Sequence, residues 1–141
     1  MIKSRGRWPV AAGRLSSDLR PALDDLYRTF DHVESATDPV HIARRYRAPD
    51  DQEIVGFCAG ALAFGRVASV LHSIESLLAV VGPAPADYVR RFDVTRERAR
   101  LQPLVHRWIR GADLTALMLI LQRMLRESGS IEGFFMEGDD P

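Results

Sequence analysis

The most constraining feature of the sequence is a run over residues 54–64, in which nearly every side chain is apolar or small. The run reads IVGFCAGALAF, and it follows an acidic segment, residues 50–53, that suits the start of a helix. A helix that is apolar on all faces is typical of the middle of a domain, where other helices surround it. We expect Gly56 and Gly60 to let those neighbours approach closely. The run therefore predicts a buried central helix and favours a helical architecture.

Further helices are predicted on both sides of this run. Apolar residues recur at helical spacing over residues 17–31, 39–46, 67–81, 85–92, 114–127 and 131–135. Asp50 and Glu53 resemble a capping box at the start of the central helix. Together with Asp51 they also form an acidic set of the kind used in metal or acid–base chemistry, although capping accounts for them. No segment alternates with period two over enough positions to predict a strand. The predicted fold class is all-α, a multi-helix orthogonal bundle.

Size and cysteine content narrow the class of protein. The chain has 141 residues, the length of one domain, and its single cysteine excludes a disulfide framework or a cysteine-rich zinc site. There is no run of about 18 uncharged apolar residues, and no apolar signal core follows the basic start. We therefore expect no membrane partner and a cytoplasmic location. We divide the chain into a flexible basic N-terminus (1–15), a single helical domain (16–138) and a truncated tail (139–141).

Charge is distributed unevenly although the totals balance. The chain has 19 basic and 19 acidic residues, and Lys3 is the only lysine. Residues 86–110 contain seven arginines against three acids, whereas residues 127–141 contain five acids and no base. The arginine-rich stretch is either a surface for phosphate or carboxylate partners or a set of solvated helix faces in a protein whose GC-rich genome replaces lysine codons. Arg90 and Arg91 lie in this stretch, and we predict that they contact phosphates.

Gly65-Arg66 is the first candidate for a binding site. It lies at the junction of two predicted helices, where a glycine backbone and a guanidinium are able to hold an anion or a phosphate. The alternative is a simple helix break in which Arg66 pairs with Glu53 or Glu75. The functional reading predicts an anion contact in a cleft.

His106-Arg107-Trp108 is the second candidate. It combines a titratable ring, a forked cation and an aromatic face, which are the groups that contact nucleic acids. The alternative is a helix that packs Trp108 and Leu104 inward and exposes Arg107. The functional reading predicts nucleic-acid or anion binding by His106 and Arg107.

The sequence offers little support for other kinds of site. His32, His41 and His72 lie on separate predicted helices without metal-ligand spacing, so we predict no metal. Ser73 follows His72 but lacks a nucleophile elbow and an orienting acid, which argues against a hydrolase triad. Cys58 is expected to be an inert core thiol. Because no glycine-rich phosphate loop is present, we also predict no cofactor.

Several segments resemble an uncharacterised bacterial family that is catalogued as a domain of unknown function: Asp38-Pro39, residues 49–57, residues 61–67, residues 106–108 and residues 129–132. The segment 61–67, ALAFGRV, is the most specific, and Trp108 departs from the phenylalanine expected at its position. The resemblance implies a helix order distantly similar to the helix-hairpin-helix DNA glycosylases. It also implies that the chain is an incomplete domain of that kind, holding its N-terminal half only.

The resemblance and the arginine-rich stretch lead to one main hypothesis and two alternatives. We predict a DNA-binding protein related at a distance to base-excision DNA glycosylases and without catalytic activity alone, because the half that would carry the catalytic segment is missing. The first alternative is a non-enzymatic interaction module, or a truncated protein, that self-associates through exposed apolar helix faces. The second is an enzyme for a small anionic substrate, with Gly65, Arg66 and His106 in one pocket.

Overall fold

The computed structural model describes residues 19–30 and 38–137, which belong to two separate units. The predicted N-terminal segment 1–15 and the predicted tail 139–141 lie outside the described residues. The division into segments therefore stays a prediction, and each unit is described by itself.

The first unit contains one described helix, α1 (Arg20–Phe30). It confirms the helix predicted over residues 17–31. Its predicted apolar stripe is exposed by more than half at each of four positions, namely Leu19, Leu23, Leu26 and Tyr27. Thr29 Oγ1 donates to the Asp25 carbonyl oxygen at 2.8 Å, a bond within the last turns of the helix.

The described part of the second unit contains seven helices and one small hairpin. In chain order the elements are α2 (Val40–Ala43), α3 (Pro49–Ala61), α4 (Val67–Val81), α5 (Pro85–Arg90), α6 (Val94–Leu101), β1 (Val105–His106), β2 (Ile109–Arg110), α7 (Gly111–Ser128) and α8 (Ile131–Met136). The all-α prediction is confirmed. The hairpin was not predicted, because strands of two residues carry no readable alternation.

The central helix α3 is buried on one side only. Ile54, Val55 and Cys58 are buried, whereas Gly56 and Gly60 are exposed. A Cβ atom added at Gly60 would meet nothing within 4 Å, and one at Gly56 would only touch the Ala43 side chain at 4.0 Å. The prediction of a helix surrounded on all faces, with neighbours close to its glycines, is therefore wrong. Small residues make the outer face look apolar in sequence although water reaches it.

The close backbone approach occurs at Gly111 instead. This residue begins α7, which packs against α5, α6 and α8. A Cβ atom at Gly111 would lie 2.4 Å from both Gln102 Cα and the Leu101 carbonyl oxygen. Backbone atoms cannot move aside by changing a side-chain rotamer. Only glycine therefore fits at this position. The contact sets the hairpin and α7 directly against the end of α6.

The acids at the start of α3 cap other helices rather than their own. Ala48 is the N-cap of α3, so the predicted capping box of Asp50 and Glu53 is wrong. Asp51 Oδ1 accepts from the Ala86 amide of α5 at 2.8 Å. The Glu53 carboxylate accepts from the first amides of α8, those of Ile131 at 3.0 Å and Glu132 at 3.3 Å. These bonds tie α3 to α5 and to α8.

Candidate functional site

The hairpin presents its two loop residues, Arg107 and Trp108, on the surface. His106 pairs with Ile109 across the two short strands. Arg107 has a φ of 55°, a backbone conformation that favours glycine and is unusual for a long side chain. Trp108 is 62% exposed, so the alternative in which a helix packs it inward is wrong. An arginine with a positive φ beside an exposed tryptophan makes this loop the candidate site.

The hairpin loop meets the loop between α3 and α4. Gly65 has a φ of 109°, and a Cβ atom there would lie 2.5 Å from Arg107 Nη1. The Arg107 guanidinium therefore lies against the bare backbone of Gly65. Phe64 packs on Trp108 with ring centroids 5.4 Å apart and an interplanar angle of 55°. The structure thus brings together the two motifs that the sequence separates by about forty positions.

We call the group of five residues at this junction the tip: Phe64, Gly65, Arg66, Arg107 and Trp108. The Arg107 guanidinium carbon lies 5.3 Å from the centroid of the Trp108 ring, a cation–π contact. Arg66 is exposed at the N-cap of α4. Its predicted alternative partners are occupied elsewhere, since Glu75 pairs with Arg45 and Glu53 caps α8. Within the described residues, no carboxylate forms an ion pair with either arginine of the tip.

His106 is buried next to the tip and forms hydrogen bonds to Phe64 and Ser73. Its side chain is 5% exposed, and its Nε2 atom lies 3.0 Å from the Phe64 carbonyl oxygen. A carbonyl only accepts, so Nε2 carries the hydrogen and Nδ1 of the neutral ring is an acceptor. Ser73 Oγ lies 2.8 Å from Nδ1 and donates to it. His106 therefore links the α3–α4 loop, helix α4 and the hairpin.

A cleft of about 190 Å³ lies beside this histidine. Its lining mixes apolar with polar side chains: Leu62, His72, Ser73, Ser76, Pro103, Leu104, Val105, His106 and Leu114. Gly65 and Arg66 are not on its wall, so this cleft is not the pocket expected to be shared by Gly65, Arg66 and His106. The sequence placed Ser73 with its neighbour His72, whereas the fold pairs it with a histidine 33 positions away.

Arg90 and Arg91 are not part of the tip. Arg90 forms ion pairs with Asp50 and Asp87, and Arg91 Nη2 lies 3.2 Å from Asp87 Oδ2. Two further arginines of the basic stretch, Arg96 and Arg100, pair with acids three positions earlier in the chain. We call Arg90, Arg91, Arg96 and Arg100 the paired arginines. The contact of Arg90 and Arg91 with phosphates stays a prediction, in which a phosphate would compete with these acids.

The described part of the chain contains no reactive thiol, no metal-binding cluster and no membrane-spanning helix. Burial raises the pKa of the Cys58 thiol to about 12, which keeps it protonated and unreactive. Residues 19–30 and 38–137 contain no cluster of three His, Cys, Asp or Glu side chains arranged to hold a metal ion. No helix within those ranges is long and apolar enough to cross a membrane.

The comparisons with known proteins give one match. The model of DUF2400, a family of proteins of unknown function, matches residues 38–141. No curated protein and no solved structure matches the chain, and none of these comparisons supports the resemblance to DNA glycosylases. The match covers well over half of the sequence and includes every residue of the tip, and on this basis the chain belongs to the DUF2400 family.

Proposed function

We propose that the domain binds DNA through the tip, with unpaired bases stacking on the exposed aromatic rings and phosphates contacting the arginines. The observation that carries the proposal is the exposed Trp108 in a strained hairpin loop, flanked by Phe64 and by Arg66 and Arg107. Aromatic platforms beside a positive surface are the usual means of binding single strands without sequence preference. The relation to base-excision glycosylases is the more specific form of this proposal.

The electrostatics of the tip support a nucleic-acid ligand over a neutral one. Arg66 and Arg107 have no carboxylate partner among the described residues, so a phosphate would not have to displace an internal ion pair. An exposed arginine that pairs with a phosphate also releases counterions, which makes binding depend on salt. The paired arginines lack this advantage because each already contacts Asp50, Asp87, Asp93 or Glu97.

The experiment is a fluorescence-anisotropy titration of the full chain with a labelled single-stranded oligothymidine at low salt. Trp108→Ala should weaken binding by about 10-fold, since stacking on one base contributes about 1–3 kcal/mol. The double variant Arg66→Gln/Arg107→Gln should reduce the slope of log K against log salt by about 1.4, because each phosphate that an arginine neutralises contributes about 0.7. Intact duplex and duplex with an abasic site, added as competitors, test the glycosylase-like form of the proposal.

Arg91→Gln provides the matched control. It also removes one exposed arginine charge, but from a residue that is paired with Asp87. We expect its affinity to stay within about 2-fold of the wild type. Absence of binding at low salt, or an equal loss in Arg91→Gln and in the tip variants, would show that the tip is not a DNA interface.

A second candidate function is a protein interaction module. It is favoured by exposed apolar side chains in the second half of the domain, namely Leu119, Ile120, Phe135 and Met136. Sedimentation velocity over a concentration series tests this alternative. An increase of the sedimentation coefficient with concentration that Phe135→Ser removes would support it, whereas a constant monomer value would count against it.

A further inference from the structure

Ser73 and His106 form a hydrogen-bonded pair of a hydroxyl group and an imidazole, and Ser73 and His106 both line the cleft. We propose that Ser73 is a nucleophile that His106 activates toward short-chain carboxylic esters bound in the adjacent cleft. The activity goes beyond DNA binding, because the cleft is separate from the exposed rings and arginines of the tip. It requires only the two side chains, the Phe64 carbonyl and the lining of the cleft.

The hydrogen bonds fix the protonation pattern that a serine nucleophile needs. The Phe64 carbonyl oxygen accepts from Nε2–H of His106 at 3.0 Å and thereby places the free lone pair on Nδ1. That lone pair accepts the Ser73 hydroxyl hydrogen over 2.8 Å. A nucleophile, a base and a group that orients the base are thus in line, with a backbone carbonyl where hydrolases use a carboxylate.

His106 is buried, whereas Ser73 is accessible from the cleft. His106 is 5% exposed, so the base is shielded, whereas Ser73 is partly exposed and lies on the wall of the cleft. Leu62, Leu104 and Leu114 supply apolar lining on which an acyl chain is able to pack. The volume of about 190 Å³ is below that of drug-sized pockets, so the cleft suits a short acyl group.

Acyl transfer to Ser73 needs no reactant besides the ester and water. Ser73 Oγ forms a bond to the ester carbonyl carbon while its proton moves to Nδ1 of His106, and the carbonyl π electrons move to oxygen. When the carbonyl re-forms, the bond to the alkoxy group breaks, and the leaving oxygen takes the proton from Nδ1. Water then attacks the acyl-serine ester with the same proton relay, which releases the carboxylic acid and restores Ser73.

The position of Ser73 also predicts slow turnover. It lies in the interior of α4, where backbone amides are bonded within the helix and cannot bind an oxyanion. Stabilisation of the oxyanion is left to a side chain on the cleft wall such as His72, since the Ser76 hydroxyl already donates to the His72 carbonyl oxygen at 2.8 Å. Removing one donor from an oxyanion hole slows enzymes by about 10²–10³-fold. We therefore expect acylation of Ser73 followed by slow release.

The test treats the full chain with p-nitrophenyl acetate and, separately, with a fluorophosphonate. We expect a burst of nitrophenol of about one equivalent, and peptide mass spectrometry should place the acetyl or phosphonyl group on Ser73. Ser73→Ala should abolish the burst. Ser76→Ala, which changes a serine on the same wall, should keep it.

His106→Gln separates catalysis from structure. The glutamine amide retains a donor for the Phe64 carbonyl and an acceptor for Ser73, but it is not a base. The labelling rate should fall by at least about 100-fold, the usual contribution of general-base catalysis, while the melting temperature changes little. Should this variant fail to fold, the labelling site in the wild type still decides. No label on Ser73, or equal labelling of the folded His106→Gln variant, would overturn the proposal.

Discussion

The paired arginines and the arginines of the tip differ in their neighbours rather than in their number. At the end of α5 and on α6, each paired arginine has an acid within four positions or on a facing helix, and ion pairs form. At the tip, Arg66 follows a glycine and Arg107 follows a buried histidine, and no carboxylate in the described residues pairs with them. The comparison shows that the density of arginine in a segment says little about free positive charge, because local pairing decides it.

The largest expected effect on stability comes from Gly111, which directly follows the hairpin that carries Arg107 and Trp108. Gly111→Ala places a Cβ atom 2.4 Å from backbone atoms of residues 101 and 102, which separates the hairpin from α6. We expect a loss of about 3 kcal/mol in the free energy of unfolding, measured by urea denaturation. Gly60→Ala is the matched control, since its Cβ would be in open space. It should stabilise the protein by about 0.5–1 kcal/mol. Equal effects of the two substitutions would contradict the close approach at Gly111.

Gly65→Ala tests whether the backbone at the tip positions Arg107. The substitution combines an unfavourable φ of 109° with a Cβ atom 2.5 Å from Arg107 Nη1. We expect about 1–2 kcal/mol of destabilisation from the backbone conformation and, in addition, weaker DNA binding because the guanidinium must move. Gly82→Ala, with a φ of 87° and open space around its Cβ, should cost similar stability and leave binding unchanged. Weaker binding in both variants would indicate that overall stability, not the position of Arg107, is responsible.

Asp87→Asn removes an acid that pairs with two of the paired arginines, Arg90 and Arg91. Arg91 loses its acidic partner, whereas Arg90 keeps its ion pair with Asp50, and exposed ion pairs of this kind contribute less than about 1 kcal/mol to stability. Affinity for single-stranded DNA at low salt should rise by about 2-fold to 3-fold, because one guanidinium group becomes available. Glu127→Gln, which frees Arg123 on α7 with the same change of net charge, is the control. An identical rise in both variants would mean that net charge alone is acting.

The smallest expected effect is the pH dependence of stability that comes from Asp93, the acid that pairs with Arg96. Hydrogen bonds from the Thr95 hydroxyl and the Thr95 amide hold the pKa of Asp93 below its ordinary value. The stabilising contribution of this carboxylate is therefore complete above the unfolded pKa of roughly 3.9 and disappears as the pH falls through the lower folded value. A ¹³C NMR titration of the carboxyl group measures it, and Thr95→Ala should move the pKa part of the way back. Titration of Asp93 at or above the ordinary value would contradict the cap.

Most helices were predictable because their signals are local, but α6 (Val94–Leu101) was not among the predicted segments. Apolar spacing and helix-ending residues such as Gly82 and Gly129 mark α4 and α7 within a few positions of their true ends. The apolar run in α3 was over-interpreted, since Gly56 and Gly60 count as apolar in a pattern but cover no surface. Periodicity therefore predicts where a helix lies more reliably than which of its faces is buried.

The candidate site was predictable in its parts but not in its assembly. Gly65-Arg66 and His106-Arg107 were both selected from their residue types, and the fold places them together. The pairing of Ser73 with His106 depends on a contact between α4 and a hairpin of two-residue strands, which leaves no sequence pattern. The contact of Arg90 and Arg91 with phosphates, inferred from the arginine-rich stretch, stays a prediction; the pairing of both with Asp87 is local in sequence, whereas the pairing of Arg90 with Asp50, 40 positions away, is not readable from it.

The capping of α8 by Glu53 has a consequence for how the protein forms during synthesis. The carboxylate and the Ile131 amide are 78 residues apart in the chain. At about 5–20 residues per second, a ribosome needs roughly 4–16 s to deliver the second group after the first. During that interval the Glu53 carboxylate has no amide of α8 from which to accept a hydrogen bond, because α8 has not yet been made. The bond cannot form before residue 131 is synthesised, and pausing of the ribosome before that residue would prolong the time in which α3 is without it.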